Sequence, residues 1–321
     1  MKSAAPTILV ITATCTVLAV LVGGCGGSTE PYLYLNVRER PSWGPGGRIA
    51  VSAVGGDGNL YIWTVNEDGG GSKLLTPAPT NVGDPAGGMH PAYNVVGDLL
   101  AFSGRRGATP IIYSMSSSTG ESGGLTAITG DAGQGQDVQP SWSPDGSTIV
   151  YSSNRTDGDY DIWQVTVGNP GSAARLSGVD DPNMWEMWPS YNPTGNGRIV
   201  FEKRDPSGVS SHIYIRETNG SLTGPVVGTA SDSFHDGAPA WSPDGNKIVF
   251  HSDRGGNYDI WIVNADGTGL TRLTASNDSD GYPVFKPGAM ADTRIAFIRG
   301  NELWTMKPDG TDQKRITRVS R

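Results

Sequence analysis

Cysteine is nearly absent from this chain of 321 residues, and its two cysteines, Cys15 and Cys25, both lie near the N-terminus. A disulfide framework and thiol chemistry are therefore excluded for the rest of the chain. Histidine is scarce too, with four residues and no Cys/His spacing typical of zinc. Lysine and arginine total 24 against 32 acidic residues, a formal net charge of −8. This balance argues against nucleic-acid binding, which needs clustered basic residues.

Glycine and proline are abundant instead, with 46 and 22 residues, and they recur at regular positions. The string Pro140-Ser-Trp-Ser-Pro-Asp-Gly146 returns as Pro239-Ala-Trp-Ser-Pro-Asp-Gly245. Weaker copies of this Pro-x-aromatic start occur at Pro41, Pro91, Pro189 and Pro283. Successive starts are 50, 49, 49, 50 and 44 residues apart. A fixed period of this length is typical of a repeat architecture.

The copy at 239–274 contains β-rich runs separated by tight turns of the Pro-Asp-Gly and Ala-Asp-Gly type. The four runs are Ala240–Ser242, Lys247–Ser252, Asp259–Val263 and Leu270–Thr274. A lone four-stranded sheet cannot bury both of its faces, so the copies must pack against each other. We therefore predict an all-β fold, a six-bladed β-propeller with four antiparallel strands per blade. A β-sandwich is the alternative, but its strands do not repeat such a start six times.

Two segments fit the repeat less clearly. Blade four lacks an obvious fourth strand, and Gly224–Gly228 is the predicted one. Tyr32–Leu35 precedes the first start and is expected to pair with blade six, closing the ring. The single tryptophans at equivalent third-strand positions are expected to pack in the core or between blades. They are Trp63, Trp163, Trp261 and Trp304.

The third and fifth copies share a longer pattern, in which Trp-Ser-Pro-Asp-Gly is followed by Arg155 or Arg254 and then by Asp-Ile-Trp at 161–163 or 259–261. This pattern resembles the TolB-type WD-like propeller repeat, over about residues 36–320. The resemblance implies a six-bladed propeller. TolB itself carries an additional N-terminal α/β domain, which we do not expect in this chain.

Residues 1–25 have the pattern of a lipoprotein signal peptide. Lys2 precedes an apolar run at Ile8–Val22, and Leu21-Val-Gly-Gly-Cys25 resembles the bacterial lipobox, with Cys25 as the lipid attachment site. An ordinary secretory signal or a retained membrane helix are the alternatives. We then expect a short tether at 26–31 and the propeller at 32–321. The predicted protein is an exported monomer, held to the membrane by its N-terminal lipid, in the periplasm or on the cell surface.

The two faces of the predicted ring differ. Short turns follow the first and third strands, whereas longer loops and the blade connections lie on the opposite face, where binding residues are usually found. A recurring acid lies three residues before the proline in four of these connections: Asp137, Glu186, Asp236 and Asp280. Carboxylates suit hard cations, so a Ca²⁺ site at the channel mouth is one hypothesis. The other is structural: each acid accepts backbone N–H groups or pairs with an arginine such as Arg155 or Arg254.

The segment Pro182-Asn-Met-Trp-Glu-Met-Trp188 departs from the repeat. Met184, Trp185, Met187 and Trp188 predict either local burial against blade four or an apolar contact surface for a partner. His90 and His235 lie in other connections of the same face and are further candidate binding residues.

These observations favour a binding scaffold for a protein, peptide or glycan of the cell envelope, with no required cofactor. The alternative is a metal-dependent lyase or hydrolase that uses His90, His235 and nearby acids at the channel mouth. No nucleophile elbow of a serine hydrolase is predicted.

Overall fold

The computed structural model describes residues 33–35, 37–76, 86–106, 109–130, 135–176 and 181–318. The signal peptide, Cys25 and the tether predicted at 26–31 lie outside these residues. Apart from two short 3₁₀ turns at Pro45–Gly47 and Met290–Asp292, every regular element of the described chain is a β-strand. None of the described segments forms a helix with the length and apolar character that a membrane crossing needs.

The first three blades follow a lead strand of two residues, β1 (Leu33–Tyr34). Blade one comprises β2 (Ser42–Trp43), β3 (Arg48–Val54), β4 (Leu60–Asn66) and β5 (Lys73–Leu74). Blade two comprises β6 (Ala86–Tyr93), β7 (Leu99–Arg106), β8 (Thr109–Ser116) and β9 (Gly120–Ala127). Blade three comprises β10 (Asp137–Trp142), β11 (Thr148–Ser153), β12 (Asp161–Thr166) and β13 (Asn169–Arg175).

The last three blades repeat this plan, and one further strand ends the described chain. Blade four comprises β14 (Trp185–Tyr191), β15 (Ile199–Arg204), β16 (Ser211–Arg216) and β17 (Leu222–Thr223). Blade five comprises β18 (Asp236–Trp241), β19 (Lys247–Ser252), β20 (Asp259–Asn264) and β21 (Thr271–Arg272). Blade six comprises β22 (Asp280–Phe285), β23 (Ile295–Arg299), β24 (Glu302–Met306) and β25 (Lys314–Arg315), and β26 (Thr317–Arg318) follows it.

The six four-stranded antiparallel sheets confirm the predicted six-bladed propeller. Each sheet is built from one continuous stretch of sequence, and the first strand of each blade is its inner strand. The predicted fourth strand of blade four is wrong: β17 is Leu222–Thr223, and Gly224–Gly228 follows it. Pro225 has no backbone N–H to donate to a strand ladder, which accounts for the early end of the pairing.

Ring closure follows the expectation for Tyr32–Leu35, because β1 pairs in parallel with β26 just beyond blade six. Leu35 N–H extends this pairing to Arg318 O at 2.7 Å. Blades one and six then share one apolar cluster, in which Val37 and Trp43 pack with Leu303 and other residues of blade six. The pairing of β1 with β26 and the packing between blades one and six therefore close the ring together.

The threonine that follows a leucine or isoleucine after most fourth strands is a repeated structural device. Each threonine hydroxyl accepts a backbone N–H from the third strand of its own blade, 2.7–3.0 Å away. The threonines are Thr76, Thr129, Thr274 and Thr317. All four are buried, so the hydroxyl satisfies an N–H that water cannot reach.

The repeated proline does not start the inner strand but lies within it, at a β-bulge. The register shifts around this position in blades two to six. In each of these blades the residue before the proline has a positive φ, between 47° and 59°. The bulge breaks the alternation of the strand. Proline is compatible with the bulge because this position donates no N–H to the neighbouring strand. The bulge turns the residue before the proline toward the axis of the ring.

Candidate functional site

The central channel has a mouth at each end, and we name them by the connections around them. The turn mouth carries the turns after the first and third strands. The loop mouth carries the loops between the second and third strands and the blade connections. The predicted difference in length does not hold in blade six, where residues 286–294 connect β22 to β23 and only Gly300 and Asn301 connect β23 to β24. A cavity lies at each mouth, of about 430 Å³ at the turn mouth and about 350 Å³ at the loop mouth.

The residues that precede the repeated prolines meet near the axis between the two cavities. They are Arg40, His90, Gln139, Trp188, Ala238 and Tyr282. The Trp188 ring is central, with its centroid 5.2 Å from those of His90 and Tyr282. Arg40 lies over the same ring at 5.7 Å, and Gln139 Oε1 accepts the backbone N–H of Trp188 at 3.0 Å. We call these residues the axial cluster.

Aromatic rings form one wall of the loop-mouth cavity. His251 contacts Tyr258 at 5.0 Å and Tyr282 at 5.4 Å between ring centroids, both edge to face. Its Nδ1 accepts the backbone N–H of Tyr282 at 3.3 Å. Burial lowers the pKa of His251 to about 3, so its imidazole is neutral at physiological pH. Trp188 reaches the same cavity from the axial cluster.

Two arginines add positive charge to this mouth. Arg204 binds the buried Glu202 through Nε at 2.8 Å and Nη2 at 2.7 Å. The guanidinium is only partly covered and also lines the cavity. Arg38, on the strand-like lead into blade one, lines it as an exposed side chain. The loop mouth therefore combines a preformed aromatic wall with two guanidinium groups and with the carboxylates of Asp278 and Asp280.

Three of the four recurring acids are committed to ion pairs. Asp236 binds Arg254 at 2.6 and 2.7 Å, Asp280 binds Arg299 at 2.6 and 2.7 Å, and Asp137 pairs with Arg155. All three acids are buried. They begin the inner strands β10, β18 and β22 rather than lying in the connections.

Each of these arginines also lies over the third-strand tryptophan of its blade. The distances from the guanidinium carbon to the ring centroid are 5.0 Å for Trp163, 5.5 Å for Trp261 and 4.8 Å for Trp304. The contacts support the structural interpretation of these acids. Within the described residues no group of three or more metal-binding side chains is placed to hold an ion. The Ca²⁺ role of the four acids stays a prediction.

Glu186 of blade four breaks this pattern. Asp205 stands where blades three and five carry the arginine, and the nearby Lys203 binds Asp181 at 2.7 Å. Neither oxygen of the buried Glu186 side chain accepts a hydrogen bond from any described residue. Burial raises its pKa to about 9, assisted by the negative charges of Asp161 and Asp181. Glu186 is therefore a neutral acid at physiological pH, and its proton can be donated to Asp161.

The two candidate histidines have separate partners. His90 is buried, with Nε2 3.3 Å from Glu39 Oε2 and Nδ1 3.3 Å from Ser103 Oγ. His235 Nδ1 lies 2.7 Å from Asp253 Oδ2, and its Nε2 lies 3.0 Å from the Gly208 carbonyl. Both of these partners are acceptors, so they raise the pKa of His235. None of the described contacts joins either histidine to Asp137 or Glu186.

The Met/Trp segment divides between the surface and the axis. Trp188 is buried in the axial cluster, whereas Met184, Trp185 and Met187 are partly exposed. Trp185 contacts Tyr160 of blade three edge to face, with centroids 5.9 Å apart. Local burial therefore applies to Trp188, and the contact-surface role of Met184, Trp185 and Met187 stays a prediction.

Sequence reasoning missed the roles of Arg40, Arg204, His251 and Tyr282. Their place in the repeat could have indicated these roles. Arg40 and Tyr282 directly precede the repeated proline, and Arg204 and His251 lie at the end of a second strand. It also missed that Gly120-Glu-Ser-Gly-Gly124 matches the letters of a nucleophile elbow. Those residues lie in strand β9, where Ser122 Oγ donates to Thr119 O at 2.7 Å, and not at a strand-to-helix turn.

Comparison with known protein sequences finds relatives that are less than 30% identical to this chain. An uncharacterized protein of Agrobacterium fabrum is 28% identical over 156 residues, which cover 49% of this chain and 48% of that protein. A TolB homolog of Chlorobium luteolum is 29% identical over 232 residues, which cover 68% of this chain and 46% of that protein. No family model matches the chain.

A solved structure extends this likeness to the fold. The crystal structure of TolB from Acinetobacter baumannii aligns with a TM-score of 0.59 at 21% identity, over 81% of this chain and 58% of that one. The chain spans about half of the length of the curated relatives named above. The chain is a TolB-like six-bladed β-propeller.

Proposed function

We propose that this protein is a lipid-anchored binding scaffold of the cell envelope, and that its loop mouth receives a protein, peptide or glycan partner. The observation that carries the proposal is the loop-mouth cavity, whose aromatic wall and two arginines are formed before any partner arrives. Its volume of about 350 Å³ lies in the range of ~300–1,000 Å³ typical of ligand pockets.

The composition of the mouth favours recognition. Tryptophan, tyrosine and arginine are the residues most enriched in binding hot spots, because they bury large areas and form directional polar contacts. In this cavity the aromatic surfaces come from Trp188, Tyr258 and Tyr282, and the directional polar contacts come from Arg38 and Arg204. Trp185 and Met184 extend the apolar surface beyond the cavity along the start of blade four.

Charge indicates which partner groups suit this mouth. Glu202 neutralises Arg204 in part, whereas the Arg38 guanidinium has no hydrogen bond or ion pair to any described side chain. A partner that offers a carboxylate or a row of hydroxyl groups near Arg38 fits the site. Reversal of this charge by Arg38→Glu should therefore weaken partner binding.

Site-specific photo-crosslinking tests the proposal. A photoreactive residue at Ser279, an exposed position of the loop-mouth cavity, should capture one discrete envelope component, and Arg38→Glu should reduce that adduct at least 5-fold. The matched control carries the photoreactive residue at Asp266, an exposed position in a short turn after the third strand of blade five. Equal adducts from both positions would argue against a specific loop-mouth partner.

Anchoring is tested separately. Cys25→Ser removes the thiol that would carry the lipid, so the variant should move from the membrane fraction to the soluble fraction. Continued membrane attachment of this variant, with an uncleaved N-terminus, would contradict lipidation and support a retained helix.

A further inference from the structure

The turn mouth holds a second cavity, to which neither the repeat nor the proposed function assigns a role. Its wall is formed by the aromatic residue of every Pro-x-aromatic start, together with prolines of the same strands and of the first turns. The six aromatic residues are Trp43, Tyr93, Trp142, Tyr191, Trp241 and Phe285. The repeat that builds the ring thus also builds a six-sided funnel. Its wall includes the polar residues Ser42, Asn94, Ser141 and Ser190 as well.

Arg40 is the single charged residue among the described residues that line this funnel. It comes from the axial cluster, so its guanidinium lies at the inner end of the cavity, over the Trp188 ring. No described carboxylate pairs with it. A buried charge is costly unless it is paired, and a funnel with one cation at its base is a setting in which a ligand anion is favoured.

The hydrogen bonds of Arg40 leave donors free for such an anion. Nη1 donates to Pro239 O at 3.2 Å and Nη2 donates to Pro189 O at 3.4 Å. A guanidinium carries five N–H groups, so three have no acceptor among the described residues. Burial lowers the pKa of Arg40 to about 10, so the group remains charged at physiological pH. The Pro189 and Pro239 carbonyls belong to blades four and five, so these two contacts hold the Arg40 guanidinium across the axis.

The rim of the funnel is apolar at one blade. Blades three and five have Pro-Asp in the turn after the inner strand, whereas blade two has Val95 and Val96, which are 58% and 76% exposed. Val95 lines the cavity. Exposed large apolar side chains next to a cavity are typical of a contact surface.

We propose that the turn mouth binds the free C-terminal carboxylate of a peptide chain whose last residues are apolar. The carboxylate would lie on the free N–H groups of Arg40, because guanidinium and carboxylate match as bidentate partners. The apolar side chains would lie against the aromatic and proline wall and Val95. A phosphate group fits less well, because its second charge would face apolar rings with no second cation nearby. This cavity is separate from the loop-mouth cavity, and the two are joined through the contact between Arg40 and Trp188.

Fluorescence anisotropy with labelled peptides tests the proposal. The probe is N-terminally labelled Gly-Gly-Leu-Val with a free carboxylate, and the matched probe carries a C-terminal amide. We expect the free acid to bind at least 10-fold more tightly than the amide, and Arg40→Gln to abolish the difference. Arg40→Lys, which keeps the charge but loses the bidentate geometry, should retain part of it. Equal binding of acid and amide to the wild type would overturn the proposal.

A second variant covers the case in which Arg40→Gln disturbs the ring. Val95→Asp places a negative charge on the exposed rim and should weaken binding of the free acid at least 5-fold. Val209→Asp is the matched control, because Val209 is 60% exposed in the loop between β15 and β16, on the opposite face. Equal effects of the two variants would count against the site. Acetate and inorganic phosphate are tested as competitors. If either displaces the peptide at the concentration at which unlabelled peptide does, the site is a small-anion site and the peptide proposal fails.

Discussion

Replacement of Glu186 by glutamine should stabilise the protein at neutral pH. Glu186 is buried and lacks the arginine that pairs with its counterparts in blades three, five and six. Its carboxyl group is therefore protonated in the folded protein, whereas it is ionised in the unfolded chain at pH 7. A glutamine side chain has nearly the same shape, and its N–H can donate toward Asp161 in place of the carboxyl proton.

The magnitude follows from the two pKa values. The ordinary value is 4.5 and the folded value is about 9, so the folded state retains a proton that the unfolded state loses between these pH values. Each pH unit in this window lowers the free energy of unfolding by ~1.4 kcal/mol, which amounts to ~3 kcal/mol between pH 4.5 and pH 7. The stability of the wild type should therefore fall as pH rises from about 4.5 to 9. Glu186→Gln should remove this loss and raise Tm at pH 7 by about 5 °C.

Thermal unfolding of both proteins at pH 4, 7 and 9 measures the effect. The difference in Tm should be near zero at pH 4 and largest at pH 9. Asp236→Asn is the matched control at the equivalent position of blade five, where the acid is paired. This change leaves buried Arg254 unpaired and should destabilise the protein by ~3–5 kcal/mol. If Glu186→Gln destabilised the protein at pH 7, Glu186 would be ionised and bound to Lys203, and the reasoning would be refuted.

Two further predictions concern single hydrogen bonds. His235 can donate hydrogen bonds to both Asp253 and Gly208 O only when its imidazole is protonated. Its pKa is therefore raised in the folded protein. The added stability is fully present below about pH 6.5 and is lost as pH rises through the folded pKa. The urea midpoints of wild type and His235→Gln should thus differ more at pH 5.5 than at pH 8.5, and a constant difference would contradict the assignment. Thr274→Val removes the acceptor of the Ile260 N–H and should cost ~1–3 kcal/mol in urea unfolding. Thr274→Ser keeps the hydroxyl and is the control; equal losses in both variants would show that packing, not the hydrogen bond, matters.

The repeated elements of the fold were predictable, because their causes are local. Turn residues such as Pro243-Asp-Gly245 fix where the chain reverses, and the β-rich runs between them can form only strands. The second and third strands of blade five are therefore found where expected, at Lys247–Ser252 and Asp259–Asn264. The fourth strand of blade four was misplaced because it has two residues and its pairing depends on the neighbouring strand β16.

The candidate site was predicted only in part, and Trp188 and Glu186 show why. Trp188 was singled out with Trp185, but the bulge before Pro189 turns it to the axis while Trp185 stays near the surface. Glu186 was grouped with three other acids by its place in the repeat. Glu186 differs from them because the position two residues after its cross-strand partner Lys203 holds Asp205, where blades three and five have an arginine.

The sequence by itself determined the architecture of this protein: strands, turns and a fixed period that requires blades to pack around an axis. The tertiary structure decided which side chains meet on that axis, and therefore what each mouth offers a ligand. Arg40, His90, Trp188 and Tyr282 are up to 242 residues apart in the chain and share only their place before a proline. The physical reason is that a bulge is a property of paired strands. The ring brings the bulges of blades two to six together beside Arg40, which lies just before the first strand of blade one. Neither effect is contained in the local sequence around any one of these residues.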